Sequence, residues 1–192
     1  MQILVTNDDG PASPLVSPLI RAAASLGTVT VVLPATERSW TAKAMTRYAD
    51  LPLARRDHPD RDGNAVSGFT LGGTPADCVN AGCYLLGPRP PDLVLSGVNA
   101  GENTGVSYAA GSGTIGACLE ANIALVPAIA LSQQLTPAGF ASWAAPRAGR
   151  AGNRARRRAR AARPLAARAT RRSAASADRP GTRARYPTHS GV

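Results

Sequence analysis

The sequence has few aromatic residues and no long apolar run. Aromatic residues make up 4% of the 192 residues and apolar residues 44%, so aliphatic side chains and alanine must build any core. No run of about 18 apolar residues occurs, so we expect no membrane-spanning helix. Only Ile3, Leu4 and Val5 precede the polar Asn7 and Asp8, which is too short an apolar stretch for a secretory signal. We therefore expect a cytoplasmic protein with one ordinary domain.

Histidine and cysteine are also scarce, which argues against several kinds of site. The two histidines, His58 and His189, are far apart in the sequence, so neither a Ser-His-Asp triad nor a histidine-rich zinc site is expected. The cysteines are odd in number and lack the spacing of a metal site, so we expect reduced, buried thiols at Cys78, Cys83 and Cys118. The sequence also lacks the Gly-Lys-Ser/Thr of a P-loop, a Gly-x-Gly-x-x-Gly after a strand, and the Asp-x-Asp-x-Thr of haloacid-type phosphatases.

The positive charge of the chain, +10 overall, comes from its C-terminal part. Residues 1–146 carry 8 basic and 11 acidic side chains, whereas residues 147–192 carry 14 arginines and one acidic residue. The tail also contains 13 alanines and almost no large apolar residues, so we predict that residues 147–192 are disordered. One interpretation is an arm that binds nucleic acid. The interpretation we favour is a stretch of GC-rich gene read out of frame, because the change in composition is abrupt.

Residues 1–140 alternate segments typical of strands and of helices, which predicts an α/β domain with a mainly parallel sheet. Short aliphatic runs predict strands at 2–6, 28–33, 92–95 and 126–131. Helices are predicted at 14–26, from Thr74 onward and from 111–114 onward. Pro18 interrupts the first helix, so its regular part is expected to begin there with Ser17 as the cap. Residues 35–66 are expected to form loops with one or two short strands.

Asn7-Asp8-Asp9-Gly10 directly follows the first predicted strand. Adjacent carboxylates at the end of a strand repel each other unless a positive group lies beside them. Oxygen donors of this kind suit a hard divalent cation such as Mg²⁺, Mn²⁺ or Ca²⁺. The alternative is an Asx-type turn with solvated acids.

Three further polar segments follow predicted strands or precede a predicted helix, and in parallel sheets ligands bind at the edge formed by the carboxyl ends of the strands. Residues 96–105 are rich in glycine and in side-chain amides such as Asn99 and Asn103, which can approach and bind a ligand. Residues 111–114 begin a helix, where hydroxyls and free N–H groups can bind an anion. Ser39 could add an oxygen ligand, and Arg38 could face a phosphate. A surface loop, an ordinary helix cap and solvated side chains are the respective alternatives.

Taken in order, these motifs resemble those of the SurE family, the survival protein SurE 5′/3′-nucleotidases. The residues that carry the resemblance are Asn7-Asp8-Asp9-Gly10, Arg38-Ser39, GTPADCV at 73–79, PDLVLSGVNAGENTG at 91–105, and SGTIGA at 112–117 with Glu120. They span residues 1–135, approximately. The resemblance implies a Rossmann-like, three-layer α/β fold and a divalent-metal-dependent phosphomonoesterase that acts on nucleoside monophosphates.

The resemblance also implies roles for individual residues. The metal ligands would be Asp8, Asp9, Ser39 and Asn99, with Mg²⁺ or Mn²⁺ as the expected cation. The substrate phosphate would lie among Asn103, Ser112, Gly113 and Thr114. Of the two catalytic carboxylates, Asp9 is our candidate for the general base, and Asp8 is expected to act more purely as a ligand.

The chain departs from the family pattern in its motifs and at its C-terminal side. Trp40 stands where the family usually has glycine, Lys43 stands where a polar amide is usual, and the segment 105–111 is one residue longer. Family members continue with further strands, helices and arms that form dimers, where this chain has its arginine-rich tail. We therefore expect a domain truncated in its C-terminal part, and any homo-oligomer to form without the usual arms. The alternative is a truncated or frameshifted product without activity.

Overall fold

The structure, a computed structural model, describes residues 1–60 and 62–144. The strands are β1 (Gln2–Thr6), β2 (Thr28–Pro34), β3 (Leu53–Arg55), β4 (His58–Pro59), β5 (Ala65–Leu71), β6 (Leu93–Ala100) and β7 (Ala128–Gln133). The helices are α1 (Val16–Ala24), α2 (Pro75–Tyr84), α3 (Val106–Gly111), α4 (Gly113–Ile123) and α5 (Pro137–Ala144). Residues 1–135 belong to one compact unit, and α5 belongs to a second. The predicted disordered tail, 147–192, lies outside the described residues, so the predicted division of the chain stays a prediction.

Strand β1 lies at the centre of the sheet, parallel to β2 on one side and to β6 on the other. Strand β5 pairs in parallel with β2, and β7 pairs in parallel with β6. Within the described residues, only the short β3 and β4 run antiparallel, each against β5. The predicted Rossmann-like α/β fold with a mainly parallel sheet is therefore confirmed. The carboxyl ends of β2, β1 and β6 stand side by side, and we call this edge of the sheet the carboxyl edge.

Two apolar clusters, one on each face of the sheet, give the fold its three layers. Ile3 and Val5 of β1 belong to the cluster that includes α1, whereas Leu4 between them belongs to the cluster that includes α2 and α4. This alternation follows from the two-residue period of a strand. Each of the three side chains is buried and contributes roughly 1.5–3 kcal/mol through its removal from water. Gly82 lets α2 pack closely on β1, because a Cβ there would lie 2.6 Å from the Leu4 methyl carbons.

Helix α2 begins as its sequence predicts. The Thr74 hydroxyl accepts a hydrogen bond from Asp77 N, and the Asp77 carboxylate accepts one from Thr74 N, which together form a capping box. Pro75 occupies the first helical turn, where its missing N–H has no partner to lose. Asp77 also accepts hydrogen bonds from the backbone N and the hydroxyl of Thr46. The cap therefore joins α2 to the segment that follows β2.

The regular part of helix α1 starts earlier than the sequence predicts. It begins at Val16 with Leu15 as the N-cap, and no side chain caps it, so the prediction of Ser17 as cap is wrong. Pro18 lies in the first turn, where backbone N–H groups have no partner within the helix and a proline ring is tolerated. The helix ends at Ala24, close to the predicted stop.

Within the described residues, three elements are not revealed by the sequence patterns, namely β5, α3 and α5. Strand β5 lies beside β2, but Ser67 and Gly68 interrupt its apolar run. Gly68 is required there, because a Cβ would collide with the Arg56 carbonyl. The six-residue helix α3 has no side-chain cap and no buried residue. The one or two short strands expected within 35–66 are confirmed as β3 and β4.

Strand β6 continues to Ala100, beyond the predicted end at residue 95, so Asn99 lies on a strand and not in the expected loop. Its pairing with β7 is irregular between Ser96 and Asn99, where Gly97 has a φ of +130°. Glycine is the residue that adopts such a φ without strain. Asn99 therefore stands near the carboxyl end of β6, at the same edge as the turn after β1.

The three cysteines are buried, free thiols, as predicted. Burial raises the pKa of Cys83 and of Cys118 to about 11, so both thiols are protonated near neutral pH. None of the helices within the described residues is long and apolar enough to cross a membrane.

Candidate metal and phosphate site

The turn after β1 carries the two predicted carboxylates. Asn7 is fully buried, and its side-chain amide donates to Gly10 O at 3.0 Å and accepts from Gly10 N at 3.1 Å. Gly10 has the positive φ, +75°, that closes this turn. Asn7 thus forms an Asx-type turn, one of the alternatives above. Asp8 is buried and Asp9 is half-buried, so the turn does not carry two fully solvated acids.

Asp8 is held by the start of α4. The Thr114 hydroxyl donates to Asp8 Oδ1 at 2.8 Å, and both residues are buried. Gly113 packs closely against Asp8: a Cβ at position 113 would lie only 2.9 Å from Asp8 Cβ. Ser112 caps the helix by accepting a hydrogen bond from Ile115 N at 3.3 Å. The end of β1 and the N-terminus of α4 therefore meet at this carboxylate.

Asp9 is tied to the end of β6. Its Oδ2 accepts a hydrogen bond from Ala100 N at 3.3 Å and a longer one from the Ser13 hydroxyl at 3.5 Å. Ala100 directly follows Asn99, whose Nδ2 donates to Gly101 O at 2.8 Å. The bond to Gly101 fixes the orientation of the amide. Asp9 and Asn99 are thus brought to the same place from two strands.

Both carboxyl groups have a raised pKa. Burial and the neighbouring negative charge of Asp8 raise the pKa of Asp9 to about 6. Burial raises the pKa of Asp8 as well, although the hydrogen bond from Thr114 opposes the shift. The charge of Glu37 contributes to raising both pKa values. Asp8, Asp9 and Glu37 therefore place negative charges close together, and their mutual repulsion contributes to the raised pKa values.

Glu37 is the residue that sequence reasoning missed. It follows β2 at the carboxyl edge, and its Oε1 accepts a hydrogen bond of 2.8 Å from the Ser39 hydroxyl. Its charge acts on Asp8 and Asp9, so the end of β2 lies near both. The available signal was its position, an acid in the same segment as the predicted ligand Ser39 and at the same strand end. Ser39 is exposed, and the bond to Glu37 orients its hydroxyl.

Residues 38–46, which we call the 38–46 loop, are held at several points. Ala42 N donates to Gly111 O at 3.0 Å, just before α4. Lys43 Nζ lies 2.6 Å from Glu120 Oε2 on α4. Two further hydrogen bonds run to the start of α2, from Thr46 to Asp77 and from Thr74 Oγ1 to Ala44 O. The loop that carries Ser39 is therefore fastened to both helices on this face of the sheet.

Two of the residues considered from the sequence make no side-chain hydrogen bond to the carboxylates, although Arg38 N donates to the backbone Asp8 O at 2.7 Å. Asn103 Nδ2 donates to the Ser132 hydroxyl at 2.8 Å, which places Asn103 beside β7. Arg38 is half-buried, and its Nε has no hydrogen-bond partner in the described part of the chain. The charge of Arg38 opposes the effect of burial on the Cys78 thiol, whose pKa is raised. Arg38 therefore lies near Cys78 of α2, on the interior side of the site.

The chemistry of the donor set fits a hard divalent cation. Two carboxylates, a hydroxyl and an amide oxygen are available from Asp8, Asp9, Ser39 and Asn99. Within residues 1–60 and 62–144, no ion pair reaches either aspartate, although burial raises the pKa of both. The same residues contain no group of three or more His, Cys, Asp and Glu side chains placed to hold a metal. A cation here would depend on the neutral oxygens as well as on the carboxylates.

Comparison with known proteins assigns the chain to a family. A model of the family described as survival protein SurE matches residues 3–178. The chain belongs to the SurE family. The resemblance carried by the sequence motifs is thereby confirmed. The motifs shared with the SurE family lie where β1, β2 and β6 end and where α2 and α4 begin.

Individual relatives in the SurE family match the first part of the chain. The 5′-nucleotidase SurE of Methanopyrus kandleri is 44% identical over 138 residues, which cover 72% of this chain and 51% of that protein. The 5′-nucleotidase SurE of Geobacter sulfurreducens is 45% identical over 135 residues, which cover 69% and 47%. The crystal structure of the SurE protein from Aquifex aeolicus has a TM-score of 0.58 and 38% identity, covering 71% of this chain and 52% of that one. The chain spans about half the length of the curated relatives it matches.

Proposed function

We propose that the chain is a divalent-metal-dependent phosphomonoesterase that hydrolyses nucleoside monophosphates. The relatives named 5′-nucleotidase SurE support the substrate class. The observation that carries the proposal is the pair of buried Asp8 and half-buried Asp9, of which Asp8 contacts the N-terminus of α4 and neither is paired with a cationic side chain in the described residues. Carboxylates bind divalent cations and a helix N-terminus binds phosphate, so a cation site and a phosphate site would lie next to each other here.

Asp8, Asp9, Ser39 and Asn99 are the residues that would hold the cation, with Mg²⁺ or Mn²⁺ expected from their oxygen donors. When bound, such a cation neutralises charge on phosphate oxygens and lowers the pKa of a water molecule. Hydrogen bonds within the chain hold two of these side chains in fixed orientations. Thr114 holds one oxygen of Asp8, and Gly101 holds the amide of Asn99.

Ser112 and Gly113 would bind the phosphate through backbone N–H groups, with Thr114 beside them at the start of α4. The Ser112 hydroxyl already serves the helix cap, and both the hydroxyl and the N–H of Thr114 act on the Asp8 carboxylate, so the amides of Ser112 and Gly113 are the groups we assign to the ligand. The first N–H groups of a helix have no partner within it, and the helix dipole favours an anion there. Asn103, beside β7, would contact the phosphate from the other side of the site.

Asp9 is the proposed general base. Its pKa of about 6 lies closer to neutral pH than that of an ordinary aspartate, which makes it a better proton acceptor for an attacking water. Asp8 is bound by Thr114 and is assigned to holding the cation. Activity on both 5′ and 3′ esters, cytoplasmic localisation and any homo-oligomer stay predictions.

The test is the release of phosphate from 5′- and 3′-nucleoside monophosphates with Mg²⁺ or Mn²⁺, with and without a chelator. We expect turnover that the chelator abolishes and added metal restores. Asp62→Asn is the matched control, since Asp62 is an exposed carboxylate in the turn before β5, at the opposite edge of the sheet. Turnover that survives the chelator would refute metal dependence. No turnover from a chain that melts cooperatively would refute the nucleotidase, and the absence of a cooperative melt would favour the truncated, inactive product.

A further inference from the structure

Two exposed aromatic rings face each other beside the candidate site. The ring centroids of Trp40 and Tyr108 are 5.6 Å apart, and the ring planes are tilted by 44°. Trp40 is 66% exposed and Tyr108 is 56% exposed, so both rings present their surfaces to solvent. Aromatic residues are only 4% of this sequence, and an exposed pair of them is a typical recognition feature.

The position of Trp40 connects these rings to the proposed phosphate site. Trp40 directly follows Ser39, and its ring lies against Gly111, where a Cβ would be 2.6 Å from Trp40 Cε3. Gly111 is two residues before Gly113, so their Cα atoms lie within about 8 Å of each other. A ligand with its phosphate at the start of α4 would therefore extend over the indole ring. The separation between the start of α4 and the indole ring is comparable to the distance between the phosphate and the base of one nucleotide.

The backbone holds Trp40 in place at a conformational cost. Its φ is +59°, in the left-handed region that non-glycine residues rarely adopt. Ala42, two residues on, has a φ of +49° and donates its N–H to Gly111 O. Strained backbone of this kind persists where the surrounding structure fixes it, and it is concentrated at ligand sites. The indole is thus presented to solvent by a fixed loop.

We propose that Trp40 and Tyr108 form a stacking site for the nucleobase of the substrate, an inference that rests on the proposed function. Every nucleobase has a π face, so stacking on an aromatic ring tolerates different bases. Purines offer the larger face and should bind more tightly than pyrimidines. The site would thus accept a range of nucleoside monophosphates, with purines preferred.

The kinetic test compares a substrate that carries a base with one that does not. In Trp40→Gly we expect the KM for AMP to rise about 10-fold, while the KM for ribose 5-phosphate changes less than about 2-fold. Glycine suits the φ of +59°, so this variant removes the ring without adding backbone strain. Trp40→Phe should keep most of the affinity for AMP. Tyr84→Ala, an exposed aromatic at the C-terminal end of α2, is the control and should change neither KM.

A binding test does not depend on turnover. The chain has two tryptophans, so Trp143→Phe leaves Trp40 as its fluorescent indole. We expect adenosine, which has no phosphate, to quench this fluorescence, and D-ribose to have no effect. In Trp40→Gly, which retains Trp143 as its indole, adenosine should leave the fluorescence unchanged.

The outcomes separate the two proposals. If both esters are hydrolysed and Trp40→Gly shifts their KM values equally or not at all, the stacking site is refuted and the nucleotidase stands. If neither ester is hydrolysed, the nucleotidase is refuted, and the adenosine titration decides the stacking site alone. Quenching of Trp40 by adenosine then supports the site, and its absence overturns it.

Discussion

The Thr114 hydroxyl donates a hydrogen bond of 2.8 Å to Asp8 Oδ1, joining the start of α4 to the end of β1. Both residues are buried, so water does not compete for this bond. The bond fixes one carboxylate oxygen and the rotation of the aspartate side chain. Outer partners of metal ligands commonly act in this way, by orienting the ligand they contact.

Replacing Thr114 by valine should therefore impair catalysis more than folding. We expect Thr114→Val to lower kcat/KM for a nucleoside monophosphate by about 10–100-fold, the usual effect of losing such a partner. Thr114→Ser keeps the hydroxyl and should stay within a few-fold of the wild type. A thermal melt of both variants is the folding control. Wild-type turnover in Thr114→Val would show that the bond has no part in positioning Asp8.

Removing a carboxylate should cost more than removing a hydroxyl. We expect Asp8→Asn and Asp9→Asn each to lose at least about 100-fold in kcat/KM, because each removes a full charge from the proposed cation site. Ser39→Ala removes a neutral donor and should lose less. The ranking is read from phosphate release at fixed Mg²⁺, with Asp62→Asn as the carboxylate control. A larger loss in Ser39→Ala than in Asp8→Asn would contradict the assignment of ligands.

The ion pair between Lys43 and Glu120 should couple the 38–46 loop to α4. Glu120 Oε2 lies 2.6 Å from Lys43 Nζ, and Glu120 Oε1 accepts a hydrogen bond from Asn80 at 3.0 Å. Lys43→Met would leave the buried carboxylate without its cation, and we expect the free energy of unfolding to fall by roughly 1–3 kcal/mol. This is less than for a fully buried pair, because the Lys43 side chain is 32% exposed.

A double-mutant cycle measured by urea unfolding checks this coupling. Glu120→Gln keeps an acceptor for Asn80 and removes the charge, so adding it to Lys43→Met should recover part of the lost stability. Arg89→Met, in the exposed pair of Arg89 and Asp92, is the control and should change stability less. Additive effects of the two substitutions would show that Lys43 and Glu120 do not interact.

His58 should make the stability of the protein depend on pH. His58 is 8% exposed and its Nε2 has no hydrogen-bond partner within the described residues. Burial together with the charge of Arg56 lowers the pKa of His58. The folded state therefore favours the neutral ring. Its contribution to stability is complete above the unfolded pKa of about 6.5 and is lost as the pH falls through the lower folded pKa.

Urea unfolding at several pH values between 7.5 and 5 measures this effect. The free energy of unfolding should fall less steeply with acid in His58→Leu than in the wild type, by at most about 1.4 kcal/mol per pH unit. His189→Gln is the matched control, since it removes the other histidine of the chain. Equal slopes in the wild type and His58→Leu would refute the prediction.

The sequence predicted those parts of the fold that local chemistry specifies. The aliphatic run of β1 and the capping box of Thr74 and Asp77 are readable because the signals lie within a few residues. Strand β5 was missed because Gly68 breaks its pattern, and the need for that glycine comes from the carbonyl of Arg56, which packs against it in space. A periodicity cannot show a contact made by another segment.

The same distinction applies to the candidate site. Asp8 and Asp9 stand out in the sequence because two adjacent acids end a strand. The influence of Glu37 on both pKa values, and the bond between Thr114 and Asp8, depend on segments that meet only in the folded sheet. Residues at a strand end are thus predictable as candidates, but their partners are not.

Because the 38–46 loop is anchored to two helices, its conformational entropy is lost when the chain folds and not when a ligand binds. Its bonds to α2 and α4 order the loop as the chain folds, so Ser39 and Trp40 are already positioned before a ligand binds. Affinity at this edge of the sheet is then not reduced by the work of arranging a mobile lid. A preordered loop of this kind selects ligands by their shape and charge, because it does not rearrange around them.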